Sequence, residues 1–242
     1  IQARKEVIEK YQKKPQPKGK KINPAYGALV ESLDDSVGRL MKALEEMKLS
    51  GRTYVFFTSD NGGLVRHTSN KPLREGKGTA YEGGIRVPLI VRGQGIPAGA
   101  ENHRPVITPD FFPTILSLAA LQSDAGQEFE GVDLNGELNG SKMISARDLF
   151  WHYPHYHSAG ATPHSSVRSG DFKLIQFYED GRLELYNLKD DLGETQNLVS
   201  TMPQKVQELL VKLELWRKKT GAQSPLPNPN YDPEKDSPGK KG

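Results

Sequence analysis

Two oxygen-bearing side chains in succession, Asp60 and Asn61, follow the apolar run "VFFT" and precede Gly62 and Gly63. A carboxylate and an amide oxygen are hard donors, suited to Ca²⁺ or Mg²⁺. Two glycines let the chain turn sharply and keep bulk away from a ligand. The same four residues are also ordinary turn formers. Two readings therefore stand: a turn, or a metal site past the end of a sheet strand, where open α/β sheets bind ligands. Two donors cannot fill a coordination sphere of six or more, and no clustered acids elsewhere supply the rest.

A second candidate is Lys77, within "LREGKGTAYEGGIRVP" at 73–88. Flanking glycines expose its ammonium, which could hold a sulfate or phosphate oxygen as a point charge; a solvated loop lysine is the alternative. The phosphate-loop pattern does not fit, because Gly78 follows where Ser or Thr is required. A third is "FWHYPHYHSAGATPHSSVRSG" at 150–170, with His152, His155, His157 and His164 among aromatics. It lacks HExxH or a comparable zinc-ligand spacing. His67 and His103 stand alone on loops and read as surface residues.

These residues need elements to carry them. In 242 residues there is room for one large domain or two small ones. A net charge of +3 with acids and bases interspersed argues against a nucleic-acid partner. No cysteine is present, which excludes disulfides, thiolate metal sites and cysteine nucleophiles within the chain. No apolar run reaches the length of a membrane helix. "KKPQPKGKK" at 13–21 and the tail at 224–242 are rich in Pro and Lys and read as loop or disorder, with a phosphate-binding patch as the other reading. The opening "IQARKEVIEKYQ" has no Met or signal-like start and reads as the middle of a longer protein.

A short helix is expected over 2–12. A longer amphipathic one is expected from Pro24, capped by Asn23, to about Leu49. "TYVFFTS" and "VPLIVR" read as strands buried on both faces, with a glycine-rich loop between them at 61–86. A loop this long needs internal salt bridges and hydrogen bonds to satisfy its backbone. A helix is expected at 108–121 with Pro113 in its first turns, and mostly loop at 122–147. Four short strands follow, two of them joined by a tight turn at "EDG", then a helix at 201–220. The expectation is an α/β fold over 1–121, a small α+β subdomain over 122–223 with an antiparallel sheet and one packing helix, and a disordered tail over 224–242.

Three ordered stretches carry a resemblance: "TSDNGG", "PLREGKGTAYEGGIRVPLIV" and "TPDFFPTIL". Together they resemble the formylglycine-dependent sulfatases of the alkaline phosphatase superfamily. "NPAYGALVESLDDSVGRL" and "GDFKLIQFYEDGRLELYNLKDDLGETQNL" are similar to the same family, in order over about residues 1–200. The resemblance implies a partial alkaline-phosphatase-like mixed sheet. It also implies a sulfuric ester hydrolase with Ca²⁺ (Mg²⁺ as the alternative) held by three aspartates and one asparagine. Asp60 and Asn61 match the last two of those ligands. Lys77 matches the lysine beside the sulfate, and Tyr81 to Pro88 a supporting motif. His152 and His155 become candidates for substrate contact, since this region folds toward the active-site mouth in the family.

The departure is the nucleophile: no Cys-X-Pro-X-Arg or Ser-X-Pro-X-Arg occurs in the chain. By resemblance, the formylglycine and the other two metal aspartates belong to an N-terminal segment of the same enzyme. The chain is then an incomplete and inactive C-terminal portion. The implied substrate is a sulfate ester, a sugar sulfate in preference to an aryl sulfate, and the implied location is periplasmic or secreted. A phosphomonoesterase or phosphodiesterase of the same superfamily is one alternative. A truncated interaction module is another.

Overall fold

The computed structural model describes residues 2–15, 23–124, 126–226 and 228–232. Most of the basic stretch at 13–21 and the end of the tail lie outside them. Helix α1 (Lys5–Gln12) packs on α2 (Pro24–Glu46). Asn23 Oδ1 accepts from the amides of Ala25 and Tyr26 at 3.1 and 3.2 Å, so the N-cap forms as its side chain dictates. The two helices approach closely at Gly27, where an added Cβ would lie 2.6 Å from the Tyr11 ring.

Strands β1 (Val55–Thr58) and β2 (Leu89–Arg92) pair antiparallel, Val55 opposite Arg92 and Thr58 opposite Leu89. Between them lies the long loop, interrupted by the single turn α3 (Glu82–Ile85). The expectation of two-sided burial is not met: Thr58 is exposed and Ile90 is 61% exposed. An apolar run records what a strand needs covered. Among the described residues each of these strands has one partner, and their outer edges are unpaired. The same holds for α2, where Val30 and Leu33 are 51% and 52% exposed.

A one-turn 3₁₀ segment (Thr108–Asp110) leads into α4 (Phe111–Leu118), with Pro113 in its first turn. Buried Asp110 is a structural acid: it pairs with Arg147 and accepts from the amides of Ile107 and Val132. The expected loop after residue 122 folds back on α4. Thr114 Oγ1 accepts from Leu134 N at 2.9 Å, just before the short helix α5 (Asn135–Leu138).

The second sheet is a meander of β3 (Asp148–Tyr153), β4 (His164–Ser169), β5 (Phe172–Phe177) and β6 (Leu183–Asn187). The turn at 178–182 closes with Phe177 N donating to Arg182 O at 2.9 Å and Gly181 at φ +70°. One sheet face carries Val167, Leu174 and Leu185 against Val206, Leu209 and Leu213 of α6 (Pro203–Thr220), and Phe150 stacks on Trp216. The opposite face holds Ile175, Phe177 and Tyr186 against Ala80 and Tyr81 of the 61–86 loop. The sheet is thus covered on both sides, by a helix and by the loop that carries Lys77.

Candidate active site

The Asp60–Asn61 turn and the Lys77 loop are joined backbone to backbone. Gly62 N donates to Gly84 O at 3.0 Å, and Lys77 N donates to Gly63 O at 3.2 Å. These contacts need glycine for lack of bulk: a Cβ on Gly62 would sit 1.7 Å from Gly83 O. Asn70 fastens the junction. Its Oδ1 accepts from Gly63 N at 2.9 Å, and its Nδ2 donates to Gly63 O and Glu75 O at 2.7 and 2.9 Å. Sequence reasoning missed Asn70. An isolated asparagine in a polar stretch carries no local pattern that marks it.

The other end of the loop is clamped to the second sheet by buried charge. Lys173 on β5 has no exposed surface, and its Nζ donates to Glu82 Oε1 at 3.0 Å and to Glu194 Oε1 at 2.9 Å. Glu194 Oε2 accepts from Glu82 N at 2.7 Å. Arg86 and Arg168 each approach Glu82 Oε2 at 3.8 Å. Burial holds the Glu194 carboxyl above its ordinary range, against the pull of Lys173. Beside this cluster, Tyr81 and Tyr186 both donate to Glu184 Oε2 at 2.8 Å. The Arg74 guanidinium lies 3.8 Å from the Tyr81 ring centroid and donates to Tyr186 Oη and Glu194 O. Burial first, and the bond to Glu184 second, push both phenols well above their ordinary value. The expected bonds within the loop are present, Asn70 to Gly63 and Glu75 and Arg86 to Glu82, and Arg74, Tyr81 and Glu82 add partners on and beside the second sheet.

Asp60, Asn61 and Lys77 line one cleft, and His152, His157 and His164 line it from the sheet side. Ser59 Oγ donates to Asn61 O at 2.8 Å and shapes the turn. The exposed Asp60 carboxylate and the half-buried Asn61 amide are hard oxygen donors at a strand end, the donor chemistry a Ca²⁺ or Mg²⁺ ion requires. Among the described residues no group of three or more His, Asp or Glu able to hold a metal occurs, so these two donors do not by themselves make a metal site.

The histidines separate by their bonds. His152 Nε2 faces the carbonyl of Gln223 at 2.9 Å, so that nitrogen carries the proton. His152 Nδ1 lies 2.7 Å from Ser165 Oγ and 3.0 Å from Tyr178 Oη. Those two hydroxyls also meet each other, and Arg217 donates to Tyr178 Oη. His155 is exposed, with its ring against Tyr153, and is not among the cleft-lining residues. His164 Nδ1 bonds Thr162 O at 2.8 Å, and burial lowers its pKa. His157 packs on Gly78, beside Lys77. His67 Nδ1 lies 3.4 Å from Asn23 Nδ2, tying its loop to the α2 cap.

Known proteins resemble this chain along most of its length. The sulfatase family model matches residues 2–121, and the model for the C-terminal part of N-sulphoglucosamine sulphohydrolase matches residues 76–220. A sulfatase of Formosa agariphila is 38% identical over 233 residues, 88% of this chain and 42% of its own length. The N-acetylgalactosamine-6-sulfatase of Sus scrofa is 44% identical over 115 residues, 45% of this chain and 22% of its own. A solved structure described with its substrate, D-glucosamine-2-N,6-O-disulfate, superposes with a TM-score of 0.71 at 30% identity, covering 84% of this chain and 41% of that one. The chain therefore spans less than half the length of these relatives. On its sequence and its fold alike, it belongs to the sulfatase family of the alkaline phosphatase superfamily.

Proposed function

We propose that this chain forms the C-terminal part of a sulfuric ester hydrolase acting on sulfated carbohydrates. The observation that carries the reading is the bond from Lys77 N to Gly63 O. It joins the backbone carrying Lys77 to the backbone just after Asp60 and Asn61, and all three residues line one cleft. In this reading Asp60 and Asn61 supply two ligands to a Ca²⁺ ion, with Mg²⁺ as the alternative. When bound, that ion neutralises charge on the sulfate oxygens. Lys77 places a second positive charge on the anion and stabilises what develops on the leaving-group side. The nucleophile, a formylglycine, and the remaining ligands are supplied by an N-terminal segment of the same enzyme. The exposed apolar residues of α2, β2 and α4 are the surfaces proposed to receive it. A two-stranded ribbon with open edges gains much from further pairing.

Substrate names among the relatives support a sugar sulfate, since two of them name hexosamine sulfates. His155, exposed with its ring against Tyr153, is one residue proposed to meet the sugar. His152 reaches one through Nε2 by exchanging its bond to Gln223 O.

The test is hydrolysis of a hexosamine 6-sulfate by the enzyme that includes this chain, with the matching phosphate ester as control. Asp60→Ala is expected to abolish Ca²⁺-stimulated turnover, and Lys77→Ala to lower kcat by about 10²-fold. Unchanged turnover in Asp60→Ala refutes the metal assignment. Preference for the phosphate ester refutes the sulfatase reading.

A further inference from the structure

Of the four histidines at 150–170, His157 is the one that the fold presses against the Lys77 loop. A Cβ built on Gly78 would lie 2.5 Å from His157 Nδ1 and 3.0 Å from its Cγ. Gly78 thus leaves the space that the imidazole fills, and its φ of +86° is one that glycine adopts without strain. The ring is held from several sides. His157 N donates to Ala161 O at 2.9 Å, and Gly160 N donates to His157 O at 2.9 Å. Ala159 N donates to His157 Nδ1 at 3.0 Å, and the Tyr153 ring stands edge-on, 6.3 Å between centroids.

The bond at Nδ1 fixes the tautomer. A backbone N–H can only donate, so Nδ1 is the acceptor and the neutral ring carries its proton on Nε2. His157 lines the cleft that also holds Lys77, Asp60 and Asn61. The ring that carries this N–H donor packs on Gly78, the residue after Lys77, from a segment between β3 and β4 of the other sheet. In the sulfatase reading the anion is already met by Lys77 and the metal, which leaves this donor for a hydroxyl or ring oxygen of the group bearing the sulfate.

We propose that His157 is a specificity-determining residue, donating from Nε2 to a sugar oxygen of the ester whose anion Lys77 holds. The inference rests on the sulfatase reading above. It differs in predicting that carbohydrate and anion are recognised by separable residues.

Binding by the enzyme that includes this chain, with Ca²⁺ present and the nucleophile of its N-terminal segment replaced so that no turnover occurs, separates the two. Affinities for inorganic sulfate and for galactose 6-sulfate are measured by titration calorimetry. His157→Ala is expected to weaken galactose 6-sulfate about tenfold and to leave inorganic sulfate unchanged. His157→Gln, whose amide N–H reaches the place of Nε2, is expected to restore most of that loss. Lys77→Ala is expected to weaken both ligands. Unchanged sugar-sulfate affinity in His157→Ala overturns the proposal, as does equal weakening of both ligands with the fold intact by circular dichroism. Failure of Gln to rescue also overturns it, because only the hydrogen-bond donor is claimed. If Lys77→Ala weakens neither ligand, or the parent enzyme binds neither, the sulfatase reading itself fails and this inference falls with it.

Discussion

Replacing Lys173 by Met should unfasten the Lys77 loop from the second sheet. The ammonium is fully buried and bonds two carboxylates, at 3.0 and 2.9 Å. Methionine fills nearly the same volume, so the loss is electrostatic rather than steric. It leaves Glu82 and Glu194 buried and facing each other. Removing one partner of a buried ion pair costs about 3–5 kcal/mol. Arg86 and Arg168, both 3.8 Å from Glu82 Oε2, still serve that carboxylate, whereas Glu194 keeps only the Glu82 amide. With a urea m-value of about 3 kcal/mol/M, the upper end for a small protein, the midpoint should fall by about 1–1.7 M. Lys42→Met is the control. Its side chain is 76% exposed and pairs with Glu46 at 3.7 Å, an arrangement worth about 0.3–0.5 kcal/mol. Adding Glu194→Gln to Lys173→Met should recover part of the loss, because one uncompensated charge is removed. A midpoint shift no larger than that of Lys42→Met would refute the argument. So would a loss that Glu194→Gln leaves untouched, since packing and not charge would then be its source.

Gly62→Ala should destabilise the chain by about 3 kcal/mol or more in chemical denaturation, because its Cβ must push Gly83 O away from 1.7 Å. Asn70→Ala removes three hydrogen bonds at Gly63 and Glu75 and should cost about 2–4 kcal/mol, with faster hydrogen exchange at the Gly63 amide. Tyr81 and Tyr186 ionise less readily in the folded chain than in the unfolded one. Unfolded phenols lose protons first, from about pH 10, so their contribution is complete below that pH and is lost above it. The double variant Tyr81→Phe, Tyr186→Phe should flatten the fall in melting temperature between pH 9 and 11, about the unfolded value. An equally steep fall would refute it.

The elements were legible wherever local chemistry decides them. Asn23 and Pro24 start α2 as a cap and first-turn proline must, and Gly221 at φ +63° ends α6. The strands of the second sheet follow their apolar residues and the turn at Gly181. Burial was not legible for β1 and β2, because a run such as "VFFT" states its own apolarity and nothing about its neighbours. At the candidate site, Asp60, Asn61 and Lys77 stood out by residue type, and the structure gathers them along one cleft. The histidines could not be ranked from sequence. What distinguishes His152 from His157 is whether Gln223 or Gly78 lies beside the ring, and both contacts are long-range.

The placement of residues 73–86 has a consequence for chimeras. This segment precedes the second sheet by some sixty residues of chain, yet it supplies Ala80, Tyr81 and Glu82 to one of that sheet's two faces. A graft exchanged between relatives at a junction after α4 would pair one parent's sheet with the other's loop. Lys173 would then meet a foreign partner for Glu82, and the Gly78 notch a foreign imidazole. The transplantable unit is discontinuous in sequence. It comprises the glycine-rich loop together with the meander and its helix, and recombinants that keep these from one parent should retain the clamp.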